Sequence, residues 1–203
     1  MMTLVHAGIV AYGFDNSFFM KALDEIAPFF DHITIVYGPF AGFDLPYIPA
    51  PAFITSKASS QKYTLIMTTL NERAEQNKQR DRYLLGVKTG DILFMIDSDF
   101  LPRGDAIQDT IDALRDSDSW DSALITQRLP SGEIDQKFIG AYRYREGWRH
   151  STGQLMQDKD GILIASPNYR VECVDDAAFY WEHHRTSAGI AYRNAQRSMW
   201  ARE

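Results

Sequence analysis

Hydrophobic positions along the chain change period several times, and each change marks an element. Leu4 to Ala11 is a short apolar run closed by Tyr12-Gly13, which predicts a first strand. Asn16 is a helix-capping residue type, and Phe18, Phe19, Ala22, Leu23 and Ile26 recur at helical spacing, which predicts a helix to about Phe29. Ile33 to Tyr37 predicts a second strand, stopped by Gly38-Pro39. Such a β-α-β opening implies a parallel pair with a right-handed crossover. Residues 40–60 are rich in Pro, Gly and Ala and predict a long surface loop, with one short strand around Phe53-Ile54. From Lys62 to Lys88 the pattern predicts one helix or two, since Asn71-Glu72 can interrupt it. Ile92 to Ile96 is apolar without alternation, which predicts a strand buried on both faces of a parallel sheet.

The second half predicts a helix over Gly104–Leu114, with Ile107, Ile111 and Leu114 on one face, and a strand over Ala123–Leu129. Gln136–Tyr144 predicts a further strand that turns at Glu146-Gly147. Short strands are expected over Ile162–Ala165, Tyr169–Val174 and Ala178–His183, then a helix over Thr186–Trp200. βα units therefore precede a mixed, strand-rich half. The 203 residues suit one domain, 1–203, divided into halves 1–100 and 101–203.

Composition narrows the class. A hydrophobic fraction of 45% is enough for a sizeable core, and the net charge of −6 argues against a partner recognised as a polyanion. The single cysteine, Cys173, excludes an intramolecular disulfide and reads as a small buried apolar residue beside Val174. No apolar run reaches the length of a membrane span, and the start lacks the basic region of a signal peptide, so a cytoplasmic protein is expected.

The chemistry is concentrated in Asp97-Ser98-Asp99, at the end of the buried run. Open α/β sheets bind ligands in the crevice at the carboxyl ends of their strands. Two carboxylates crowded there repel each other and lose hydration. A hard divalent cation, Mn²⁺ or Mg²⁺, removes both penalties and adds substrate phosphates to its shell. The pattern thus points to a metal–diphosphate site.

The stretch Lys78-Gln79-Arg80-Asp81-Arg82-Tyr83-Leu84-Leu85, then Thr89-Gly90-Asp91, the apolar strand and Asp97-Ser98-Asp99, resembles the core of family 2 glycosyltransferases. The resemblance implies a GT-A-type, Rossmann-like α/β fold: a mixed sheet with central parallel strands flanked by helices, and a smaller strand-rich acceptor-side half. It also implies a nucleotide-diphosphate sugar donor, UDP-sugar by family frequency, and inverting transfer of the sugar to an acceptor hydroxyl. Asp97 would meet the donor ribose or the metal, with Ser98 beside the donor, and Asp99 would be the direct metal ligand. Arg80 would point at the donor, a role that suits an arginine fork. A late histidine completes the metal shell in many such enzymes, and alternation allows only one of His183 and His184 to face it; His183 is preferred. Arg185 could meet the diphosphate. Tyr12 or Tyr37 could stack on the base, and Asp15 could stand in for the base-binding acids this chain lacks after its second strand.

Two further departures stand out. Asp81 occupies a place where the family commonly has Asn. On the acceptor side, Trp148 and Arg149 are candidates for the acceptor sugar, with packing the competing role for Trp148. Gln154 falls where an acid is expected as general base, leaving Asp158, Asp160, Glu172, Asp175 and Asp176, of which Asp176 is chosen because it precedes the strand leading to the histidines. The acceptor is unread: a glycan, a lipid-linked sugar, a protein or a modified nucleic-acid base. The competing functions are nucleotidyl transfer on a similar fold and a non-catalytic nucleotide- or sugar-binding module.

Overall fold

The computed structural model describes residues 3–11, 16–38, 49–68, 76–97, 100–102, 104–117, 119–128, 133–151 and 155–181. Strands β1 (Val5–Ala11), β2 (His32–Tyr37) and β3 (Tyr63–Met67) follow one another in the first third, with helix α1 (Asn16–Ile26), a 3-10 turn (Ala27–Phe29) and helix α2 (Ala52–Lys57) between them. Helix α3 (Gln76–Arg82) leads into β4 (Ile92–Asp97) and β5 (Phe100–Pro102), then helix α4 (Gly104–Asp116). Strands β6 (Ser122–Arg128) and β7 (Ile134–Arg143), the small pair β8 (Arg149–His150) and β9 (Met156–Gln157), and the long β10 (Val171–Trp181) complete the order.

Among the described residues, eight strands form one sheet in the order β3-β2-β1-β4-β7-β6-β10-β5, while β8 and β9 pair separately. β3, β2, β1 and β4 run parallel. β7 is antiparallel to both of its neighbours, β10 is parallel to β6, and β5 closes the order antiparallel to β10. This is the expected mixed α/β sheet with a parallel core.

Strand parity divides the interior in two. Val5, Ala7, Ile9, Ile92, Phe94 and Ile96 pack on one face against Phe19, Leu23 and Ile26 of α1 and Ile107, Ile111 and Leu114 of α4. Val10, Leu93 and Met95 face the other way, onto Tyr83, Tyr142, Trp148 and Met156. The carbonyls that α4 leaves unpaired at its end are satisfied by side chains. Arg143 donates to Leu114 O at 3.0 Å and Ser117 O at 2.7 Å, and the Trp120 indole donates to Leu114 O at 2.8 Å.

Several elements differ from the sequence expectations. Tyr63–Met67 is a strand rather than the start of a long helix, because its five residues extend the sheet along the edge of β2. Among the described residues, the helical part of that stretch is Gln76–Arg82. Phe53-Ile54 lies in helix α2, which follows Pro51, not in a strand. The two strands expected over Tyr169–Val174 and Ala178–His183 are one continuous strand, β10, irregular at Val174/Ala177 and Ala177/Phe179. The strand expected over Ile162–Ala165 reduces to a single bridge, Gln157 to Leu163. Cys173 is exposed, because strand parity buries its neighbour Val174 instead. The helix expected over Thr186–Trp200 lies outside the described residues.

Candidate functional site

The strand order reverses beside β1. From β1 the chain builds outward to β2 and β3 on one side, and β4 then takes the opposite flank of β1. Ligand-binding crevices of open α/β sheets lie at such switch points, beyond the carboxyl ends of the strands. β7 flanks only the first part of β4. It pairs with β4 only at Ile92, Leu93 and Phe94, whereas β1 stays in register with β4 as far as Val10 opposite Asp97. Among the described residues, the last half of β4 therefore has a strand on one side only.

Asp97 ends β4 with the parity of Leu93 and Met95, so it projects to the face that α3 covers. There Arg80 donates to Asp97 Oδ1 at 2.7 Å. The arginine side chain is 5% exposed and the aspartate 45%. Burial alone would lower the guanidinium pKa, but the Asp97 charge and the Tyr83 hydroxyl outweigh it, so Arg80 titrates above its ordinary value. Arg80 Nε is buried without a hydrogen-bond partner among the described residues. The result is a fixed cation behind a half-exposed carboxylate, held through its Oδ1.

A polar cluster that the sequence did not reveal stands behind this pair. Tyr83, 1% exposed, lies against Gly8 of β1, where an added Cβ would come within 2.5 Å of the ring. Its hydroxyl is 3.0 Å from His150 Nε2. His150 Nδ1 is 3.0 Å from Asp81 Oδ1, which also accepts from the His150 backbone N–H at 2.6 Å. Burial lowers the His150 pKa, as does the Arg80 charge, against the opposing pull of Asp81. Asp81, noted in the sequence only as a replacement for Asn, thus joins α3 to β8. Lys78 and Arg82 share the short helix with it, and nothing in local spacing separates Asp81 from them.

The other sequence candidates distribute as follows. Tyr37 is 1% exposed, and its hydroxyl donates to Pro49 O at 3.2 Å, so its ring is a core group and not a platform for a base. Trp148 is 6% exposed and packs edge to face on Tyr169, with Arg145 over its ring, which corrects the acceptor platform to packing. Arg149 beside it is exposed. Asp158 holds a turn: its carboxylate accepts from the backbone of Asp160 and Ile162 and from the Tyr169 hydroxyl at 2.5 Å. That last bond, first among several, keeps its pKa low. Asp91 is likewise structural, accepting from Leu4 N, Lys88 N and His6. Asp176 lies in the irregular stretch of β10 between Val174 and Ala177. Tyr12, Asp15, Ser98, Asp99, Gln154, His183, His184 and Arg185 lie outside the described residues. Among the described residues no group of three His, Cys, Asp or Glu side chains gathers to hold a metal, and Asp97 is the one proposed ligand they include.

The order of strands and the switch point fit a GT-A-type, Rossmann-like fold. The chain is similar to the crystal structure of S. aureus TarS 1-349, with a TM-score of 0.59 and 13% identity over 89% of this chain and 60% of that one. A second crystal structure of S. aureus TarS aligns with a TM-score of 0.59 and 15% identity, over 89% of this chain and 36% of that one. The chain therefore spans less than two thirds of either. No family model and no curated protein matches it. No described helix is long and apolar enough to cross a membrane.

Proposed function

We propose that this chain is a glycosyltransferase domain that takes a nucleotide-diphosphate sugar, UDP-sugar first among candidates, and passes the sugar to an acceptor hydroxyl with inversion. The observation that carries this reading is Asp97, half exposed at the switch-point end of β4 and held through Oδ1 by the buried Arg80. A lone surface acid needs no such backing, whereas a ligand-binding carboxylate gains from a fixed orientation.

The donor chemistry fits a divalent cation. Asp97 offers Oδ2, and Asp99 and His183 would complete the protein ligands. Register supports this set: Trp181, two residues before His183, pairs with Phe100, the residue directly after Asp99. When bound, Mn²⁺ or Mg²⁺ supplies neutralisation of the charge that grows on the departing diphosphate. Arg80 orients Asp97 and adds fixed positive charge in a largely dry setting, where it counts for more than in water. Ser98 and Arg185 belong with the donor, and Arg149 with the acceptor. Asp176 is the proposed base, and its place in a β-bulge accords with the frequent use of bulges beside active sites.

The test is thermal unfolding with UDP, GDP, ADP and CDP, each with Mn²⁺ or with EDTA, for wild type, Asp97→Asn and Asp99→Ala. A ligand at a hundredfold excess over its Kd stabilises the folded state by about 2.7 kcal/mol. The expected result is a metal-dependent rise in Tm for one nucleotide that both variants lose. Absence of any shift at millimolar nucleotide would refute the reading.

A further inference from the structure

The four side chains behind Asp97 form a chain of contacts whose donors and acceptors match in one direction, with Met95 Sδ a second neighbour of His150 Nε2 at 3.1 Å. His150 is buried, with its side chain 0% exposed, and carries a single ring N–H in its neutral form. Asp81 is an acceptor, so the shared proton at 3.0 Å belongs on Nδ1. Nε2 is then bare, and the Tyr83 hydroxyl, 3.0 Å away, must donate to it. That leaves the Tyr83 oxygen with lone pairs for Arg80, whose guanidinium only donates, and Arg80 in turn donates to Asp97. From Asp97 back to Asp81 each link joins a donor to an acceptor, and Arg80 Nε stands outside these links.

We propose that Tyr83, His150 and Asp81 are positioning residues that hold Arg80 in its donor-binding orientation, so that docking of the β8–β9 hairpin onto α3 completes the nucleotide site. The proposal rests on reading the Asp97 crevice as a nucleotide-sugar site. Geometry explains why such support is needed. Arg80 belongs to a helix of seven residues, and its fork must be fixed in angle as well as in place. Two devices supply this: the Tyr83 ring is clamped against Gly8, and Asp81 binds both the ring and the backbone N–H of His150. The hairpin that contributes His150 is 67 residues from Tyr83 in sequence, so the acceptor-side half builds part of the donor side.

The experiment has a ligand-free and a ligand-bound arm on the full chain. In the first, 15N NMR of the histidine rings reads the His150 tautomer; Nδ1–H with a bare Nε2 is expected, and Nε2–H overturns the proposal. In the second, calorimetry measures binding of UDP, GDP, ADP and CDP in turn, with Mn²⁺. Tyr83→Phe keeps the ring and removes the hydroxyl, and is expected to weaken binding of the preferred nucleotide on the order of tenfold while the protein stays folded. Asp81→Asn keeps an oxygen that accepts both His150 N–H groups and is expected to retain affinity that Asp81→Ala loses. A merely structural cluster would lower Tm in these variants and leave the affinity of the folded protein unchanged, which overturns the proposal. Should Tyr83→Phe unfold, the Asp81 pair decides alone. Wild type with the Nδ1–H tautomer but no nucleotide binding refutes the donor-site reading itself, and the positioning role falls with it.

Discussion

Gly8 shows how one residue sets the floor of the crevice. It lies mid-strand in β1, where a side chain would normally strengthen the sheet, yet a Cβ there would meet three atoms of the Tyr83 ring at 2.5 to 2.8 Å. The ring is 1% exposed and held at its hydroxyl, so it cannot swing aside as a surface side chain would. Gly8→Ala is therefore expected to destabilise by about 1–3 kcal/mol, the usual cost of overpacking. Chemical denaturation would read that loss, and nucleotide affinity should fall with it as Tyr83 is displaced. A variant as stable as wild type would mean that the ring relocates freely. At this scale the sequence was partly readable. The sequence singles out Asp97 and Arg80 separately, and only the structure shows the hydrogen bond between them. The contact of Asp81 with His150 spans 69 residues and left no periodic trace.

At the scale of elements, the start of β4 is tied down by a single carboxylate. Asp91 is buried and accepts from Leu4 N at 3.2 Å, from Lys88 N at 2.9 Å and from His6 Nε2 at 3.1 Å. It thus joins the entries of β1 and β4 to the turn that precedes β4. Asp91→Ala would remove the acceptor from all three donors, of which the His6 ring is buried, and leaving a buried group unsatisfied costs about 1–3 kcal/mol. The expected outcome is a clear fall in Tm, with Asp91→Asn losing less because one oxygen remains. Elements with strong periods were legible: α1, α4, β1, β2 and β4 fall within a few residues of their expected bounds. β3 was not, because Tyr-Thr-Leu-Ile-Met has no alternation and becomes a strand through its pairing with β2, a tertiary decision. The single strand β10 was divided in the sequence reading because its bulged middle, around Asp175-Asp176, interrupts the apolar pattern.

For the whole molecule, one buried and one half-buried histidine give stability a direction with pH. His150 and His32 both titrate below the ordinary 6.5, each chiefly because burial disfavours the charged ring. As pH falls through 6.5, the unfolded chain takes up protons that the folded chain refuses, so stability declines with acid until the lower folded pKa values are reached. Asp158 is also depressed, but its contribution is present above 3.8 and is lost only below that, in a separate window. Urea denaturation at pH 7.5 and pH 5.5 should show the decline, and His150→Gln should flatten it. An equal slope in that variant would place the acid sensitivity elsewhere.

The pairing of β5 with the end of β10 has a consequence for shape. β4 and β5 stand four places apart in the strand order, yet only two residues separate Asp97 from Phe100. Four interstrand steps in a flat sheet amount to roughly 19 Å. Three consecutive Cα steps reach about 11 Å at most. A flat sheet is thus impossible: the far edge must curl back toward the middle, and the two irregularities in β10 are where a long strand can bend. The short acid-bearing link between β4 and β5 is therefore also a tether, whose length limits how far the rolled sheet can open.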